Sequence, residues 1–105
     1  MIDLKLYEGT CLIGTIEISY KKIRNLLGEP LRMSPGDKMD VQWEIAVNDK
    51  VAIIYNYKDG PNYLGEDGIP VEKIDIFHIG GSNKEDGLEV VRNLFPSGIV
   101  KPFSI

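Results

Sequence analysis

The stretch Val41-Gln42-Trp43-Glu44-Ile45-Ala46-Val47-Asn48-Asp49-Lys50-Val51-Ala52-Ile53-Ile54-Tyr55-Asn56-Tyr57 decides the fold. Val41, Trp43, Ile45 and Val47 alternate with polar or small residues, and Val51, Ile53, Tyr55 and Tyr57 alternate after them. Period-two alternation on both sides of an Asn-Asp pair is the pattern of a β-hairpin. A two-residue loop, Asn48-Asp49, opposes Val47 to Lys50 and separates the two apolar sets. A three-residue loop, Asn48-Asp49-Lys50, opposes Val47 to Val51, Ile45 to Ile53 and Trp43 to Tyr55, placing all eight residues on one face. Register follows burial wherever one face is covered, which favours the three-residue loop.

Towards the N-terminus, Ser19 reads as the N-cap of a short helix, Tyr20 to Leu27. Ile23, Leu26 and Leu27 are expected on its inner face, with Gly28 closing it and Pro30 beyond. Residues 29–39 read as a loop. Ile2, Leu4 and Leu6 alternate as a strand and pair with a β-branched strand, Cys11 to Ile18. Towards the C-terminus, residues 58–70 hold two Asp-Gly pairs and two prolines, a long surface loop of the kind that often carries function. A strand over Lys73–Ile79 then meets Gly80-Gly81. Ser82 and Glu85 have the spacing of a capping box for a helix from Asn83 to Phe95. That helix turns Leu88, Val91, Leu94 and Phe95 inward. The order β-β-α-β-β-β-α predicts one α+β domain over residues 1–105, an antiparallel sheet of about five strands with two helices on one face. The apolar tail, residues 96–105, is expected to dock on this sheet or on a second copy. Either the tail or the N-terminal hairpin would then support a homo-oligomer.

Of the 105 residues, 43% are hydrophobic and 27% charged, the composition of an ordinary globular domain. Residues 1–52 carry seven basic and eight acidic groups, and residues 53–105 five and eight. This balance lacks the basic stripe of a nucleic-acid binder and the dense carboxylates of a DNA mimic. Lys21, Lys22 and Arg24 alone would give only weak, salt-sensitive phosphate contacts. A single cysteine, Cys11, leaves no internal disulfide and no cysteine-based zinc cage, so a reducing cytoplasm is the expected compartment. Charges interrupt every apolar run near the N-terminus, and neither a signal peptide nor a membrane span is read.

A resemblance covers residues 18–95. The pieces that carry it are Ile18-Ser19-Tyr20, Leu27-Gly28-Glu29-Pro30, Asp37-Lys38-Met39-Asp40 with Trp43, Ile54-Tyr55-Asn56-Tyr57-Lys58 and His78-Ile79-Gly80-Gly81. Together they resemble a small protein type of bacteriophages and large DNA viruses. In that type a tryptophan usually precedes the His-Ile-Gly-Gly-like motif, where this chain has Phe77. The first hairpin, residues 1–18, and the tail fall outside the likeness. What it implies is a cytoplasmic accessory protein acting on a host factor; it transfers no catalytic residue and no cofactor.

The candidate sites follow from these readings. Gly80, Gly81, Ser82 and Asn83, with His78 beside them, would hold a phosphate or carboxylate if their main-chain donors converge on a helix N-terminus. Glu85 and Asp86 in the first turn oppose an anion there. His78, the lone histidine, has no nucleophile or orienting group at a telling spacing, so a strand histidine hydrogen-bonded to a neighbour is expected. Asp59, Glu66 and Asp67 lack the ligand spacing of a calcium loop and read, with Tyr63, as surface available to a partner. Trp43, Tyr55 and Tyr57 are expected in the core. Asp37, Asp40, Glu44 and Asp75 look like solvent-facing alternates. The leading expectation is a non-catalytic protein that binds and modulates, as an inhibitor for example, a host protein. The alternative is a small-molecule binder holding a nucleotide or other anion at Gly80–Asn83, and an enzyme is the outsider.

Overall fold

A computed structural model describes residues 11–103; the expected strand over residues 2–6 lies outside them. The elements are β1 (Cys11–Glu17), α1 (Tyr20–Leu27), β2 (Leu31–Arg32), β3 (Val41–Val47), β4 (Lys50–Tyr55), α2 (Pro61–Leu64), β5 (Ile76–Gly81), α3 (Lys84–Leu94) and β6 (Ile99–Pro102). The six strands among the described residues form one antiparallel sheet in the order β2-β3-β4-β5-β1-β6. This is the expected α+β domain; among the described residues β2 and β6 are strands that were not predicted, and α2 is a third, single-turn helix.

α1 and α3 bury one face of the sheet. Tyr20 and Ile23 of α1 and Leu88, Val90 and Val91 of α3 join Ile16, Trp43, Ile54, Phe77 and Ile79 in one apolar cluster. Trp43 anchors it. Its ring lies 5.6 Å from that of Tyr20 and 5.8 Å from that of Phe77, and its indole N–H donates to the Gly28 carbonyl at 2.9 Å. A buried indole needs such a partner, and the open C-terminal end of α1 supplies it. Ser19 caps α1 by accepting from the Lys22 N–H at 3.2 Å. Gly28, at φ 86°, closes the helix as expected. The inner face of α1 holds the predicted Ile23 and Leu27, with Tyr20 in place of Leu26. Tyr20, Ile23 and Leu27 recur at spacings of three and four, which leaves Leu26 outside at 53% exposure.

The central hairpin differs from expectation by one residue. Val47 pairs with Lys50, so the loop is Asn48-Asp49, at φ 50° and 66°. Left-handed backbone at both loop positions is the twist-matched two-residue turn, and Asn and Asp are the side chains that best tolerate it. The consequence reaches the whole strand. Trp43 pairs with Ile54 and Glu44 with Ile53, so Ile53 and Tyr55 lie on the face opposite Trp43. Val51 and Ile53 are buried yet stand outside the helix-covered cluster.

The glycine turn is also displaced. Gly80 and Gly81 are buried strand residues paired with Leu12 and Cys11, and neither has positive φ. The cap of α3 is Asn83, whose side-chain oxygen accepts from the Asp86 N–H at 3.0 Å, in place of Ser82. β5 begins later than the expected Lys73, because Pro70 starts a helical turn over Val71–Lys73 that Lys73 N–H closes on the Pro70 carbonyl. The tail docks on its own sheet: β6 pairs with β1 from Ile99 to Pro102.

Candidate functional site

The sheet face away from α1 and α3 carries an aromatic cluster. Tyr55 on β4 is the cross-strand partner of His78 on β5. Their rings meet edge to face, with centroids 5.5 Å apart. Tyr57, just past β4, stacks on the same imidazole at 5.6 Å and 28° between planes, and meets Tyr55 edge-on at 6.5 Å. Lys58 places its ammonium 5.4 Å from the Tyr57 ring and 5.6 Å from that of Tyr63. Such distances are those of cation–π contacts. A shallow cavity of 300 Å³ opens among Leu12, Tyr55, Tyr57 and His78.

Tyr55 and Tyr57 were expected in the core; the two-residue turn places them here instead. The expected hydrogen-bonding neighbour of His78 is replaced by two tyrosine rings. Burial pushes the His78 imidazole below its ordinary pKa of 6.5, against a weaker upward pull from Asp59. Burial likewise raises the Tyr55 hydroxyl, with Tyr57 and Cys11 adding to it. Both rings are therefore neutral at pH 7, and Lys58 and Asp59 supply the charge at the margin of the cluster.

A buried polar staple positions that margin. Asn56 is fully buried, and its side-chain oxygen accepts from the Asp40 and Val41 N–H groups at 2.8 and 3.0 Å. Its amide nitrogen donates to Asp40 Oδ1 and Asp59 Oδ1, each at 2.9 Å. Asp40 Oδ2 accepts from the Asn62 N–H at 3.0 Å, and Asn62 Nδ2 donates to the Met33 and Met39 carbonyls. Asp40, expected at the surface, is thus the buried hub that ties the 58–70 loop to β3. Gly60 makes this possible, since a Cβ there would stand 2.0 Å from Asp40 Oδ1. The staple fixes α2, and with it Tyr63, beside Lys58.

The remaining predicted residues divide clearly. Asp59 belongs to the staple, and Tyr63, 47% exposed, meets the margin of the aromatic cluster through the Lys58 ammonium. Glu66 and Asp67 are exposed in a separate helical turn, Gly65–Asp67. No group of three or more His, Cys, Asp or Glu among the described residues is gathered to hold a metal ion. Gly80 and Gly81 lie within the strand ladder, so their amides do not converge on the start of α3. Comparison with protein-family models, curated proteins and solved structures returns no significant similarity to this chain. Among the described residues, no helix is long and apolar enough to cross a membrane.

The sequence reading missed the grouping of Tyr55, Tyr57, Lys58 and His78. The signal lay in the Asn-Asp pair, two of the few non-glycine residues that tolerate the left-handed backbone a two-residue turn requires.

Proposed function

We propose that this chain is a non-catalytic binding protein that engages and modulates another protein through its aromatic sheet face. In the setting the resemblance implies, it is a phage-type accessory protein and its target a host factor in the host cytoplasm. The observation that carries the reading is the Tyr55–His78–Tyr57 cluster, placed opposite the helices with Tyr63 and Lys58 alongside. Aromatic side chains present large, rigid area at low entropic cost and dominate the energetics of protein interfaces. Neutral rings at pH 7 suit that role, since no charge has to be stripped of water when a partner covers them. The staple beneath the loop supports it too, by ordering Tyr63 in advance of binding.

The test is quantitative capture from a lysate of the host bacterium with Tyr57→Ala/Tyr63→Ala beside the parent chain. Loss of both rings is expected to lower partner recovery at least tenfold while the melting temperature stays within a few degrees. Equal recovery by parent and double variant overturns the reading.

A further inference from the structure

Among the described residues the sheet has two edges, and they are built differently. The outer edge, β6, carries Lys101 and Pro102, residue types that discourage another strand from pairing. The other edge is guarded only in part. β2 pairs with β3 at Leu31–Gln42 and Arg32–Val41 and goes no further, because Pro30 precedes it. From Trp43 to Val47, β3 has no proline, no lysine and no bulge. The two-residue hairpin closes on the Val47–Lys50 pair, so alternate residues direct their main-chain groups away from β4. Those residues are Glu44 and Ala46, and among the described residues neither N–H finds a backbone partner beyond β3.

A groove of 430 Å³ runs along this open stretch, walled on the helix side by Leu27 and Leu94. A second hollow of 270 Å³ continues it past Val47 to the Asn48 turn. On the other side of the strand, Gln42 Nε2 donates to Glu44 Oε1 at 3.0 Å, while Glu44 Oε2 is out of contact with water and has no hydrogen-bond partner among the described residues. The other charges lining the groove are matched: Glu29 by Arg32, and Glu89 by Lys50.

We propose that the open edge of β3 is a strand-addition site for an extended peptide segment of a partner, apolar where it faces Leu27 and Leu94 and basic where it faces Glu44. Main-chain pairing with Glu44 and Ala46 provides attachment, and the alternating side chains select the sequence. The open stretch of five residues, Trp43–Val47, at about 3.3 Å each, takes a segment of about 17 Å. Glu44 shares the sheet face of Ile53 and Tyr55, but the attachment is along the strand edge, at the main chain of Glu44 and Ala46, and its fate does not depend on the aromatic reading.

The probe is a capped five-residue peptide, valine-lysine-valine flanked by threonines, titrated into the full-length ¹⁵N-labelled protein. Chemical-shift changes and slowed amide exchange at Glu44 and Ala46 are expected. Affinity should fall at least fivefold when the peptide lysine becomes glutamate, or when its edge-facing amides are methylated. Ala46→Pro should abolish binding, and Glu44→Lys should reverse the preference to the glutamate peptide, so the outcome does not rest on one variant. The proposal is overturned by absence of shifts at millimolar peptide, or by equal binding of the methylated peptide. It is overturned too if the Glu44 and Ala46 amides are already protected in the free protein. As a dimer on sedimentation that would mean a second copy fills the edge, and as a monomer that the chain fills it itself.

Discussion

Asn56 performs more hydrogen-bonding work than any other side chain described. Its oxygen satisfies two N–H groups at the start of β3, and its nitrogen separates two carboxylates, Asp40 and Asp59, that would otherwise face each other. Replacement by alanine leaves two buried donors without acceptors and two carboxylates without a donor between them. At about 1–3 kcal/mol for each orphaned group, Asn56→Ala should destabilise the fold by roughly 3 kcal/mol, read as a lowered urea midpoint. A change under about 1 kcal/mol would mean that the loop is not held by this staple. His78 yields a prediction of a different kind, in pH. Its folded-state pKa is lowered from 6.5, chiefly by burial. The unfolded chain therefore takes up the proton first as pH falls, and the stability this neutral ring contributes is full above pH 6.5 and lost as pH drops below it towards the lowered value. Between pH 7.5 and 5.5 the melting temperature of the parent chain should fall more steeply than that of His78→Gln. Parallel slopes would exclude His78 as the cause.

The elements were more legible in the sequence than the faces they present. α1 was readable to the residue because Ser19 and Gly28 bracket it with local chemistry that needs no tertiary context. β3 and β4 were readable as strands from alternation alone. Their register was not, because β4 buries Ala52 and Ile54 on one side and Val51 and Ile53 on the other. With both sides of a strand apolar, periodicity loses its power to choose between registers, and the turn decides. The aromatic site was hidden by the same error, since whichever face took Trp43 was assigned Tyr55 as well. The His-Ile-Gly-Gly run misled for a related reason: glycines before a helix read as a turn, but here they continue the strand against β1. The turn that decided the register is also a point where the fold can be improved. Asp49 sits at φ 66°, where an L-residue bears strain that glycine avoids. Set against the entropy that glycine loses on folding, Asp49→Gly should stabilise the protein by about 0.5–1 kcal/mol. In a domain of this size that corresponds to roughly 3 °C in Tm, measurable by calorimetry. A destabilised variant would mean that the Asp49 side chain contributes more than its backbone strain costs.

Over the whole molecule, the sheet has a helix-covered face, an aromatic face and two unlike edges, and its stability is expected to be graded along the strand order. β4, β5 and β1 lie inside the sheet and supply Ile54, Phe77, Ile79 and Ile16, all at 0% exposure, whereas β2 and β6 close the ends with short strands and exposed side chains. Amides of β4, β5 and β1 should therefore exchange only through global unfolding, and those of β2 and β6 through local opening. The informative region is the 58–70 loop. By burial alone it belongs with the weakly protected segments, for α2 contains no buried residue. Yet the Asn62 N–H is bound to the Asp40 carboxylate, and the Ile69 N–H to the Asp59 carbonyl. If the staple makes the loop part of the scaffold, these two amides should exchange at least tenfold more slowly than those of Tyr63, Glu66 and Asp67 around them. Their protection should also collapse in Asn56→Ala while that of β5 persists. Uniformly fast exchange across residues 59–69 of the parent chain would leave Tyr63 unfixed, and the aromatic face would then present three rings held by the sheet instead of four.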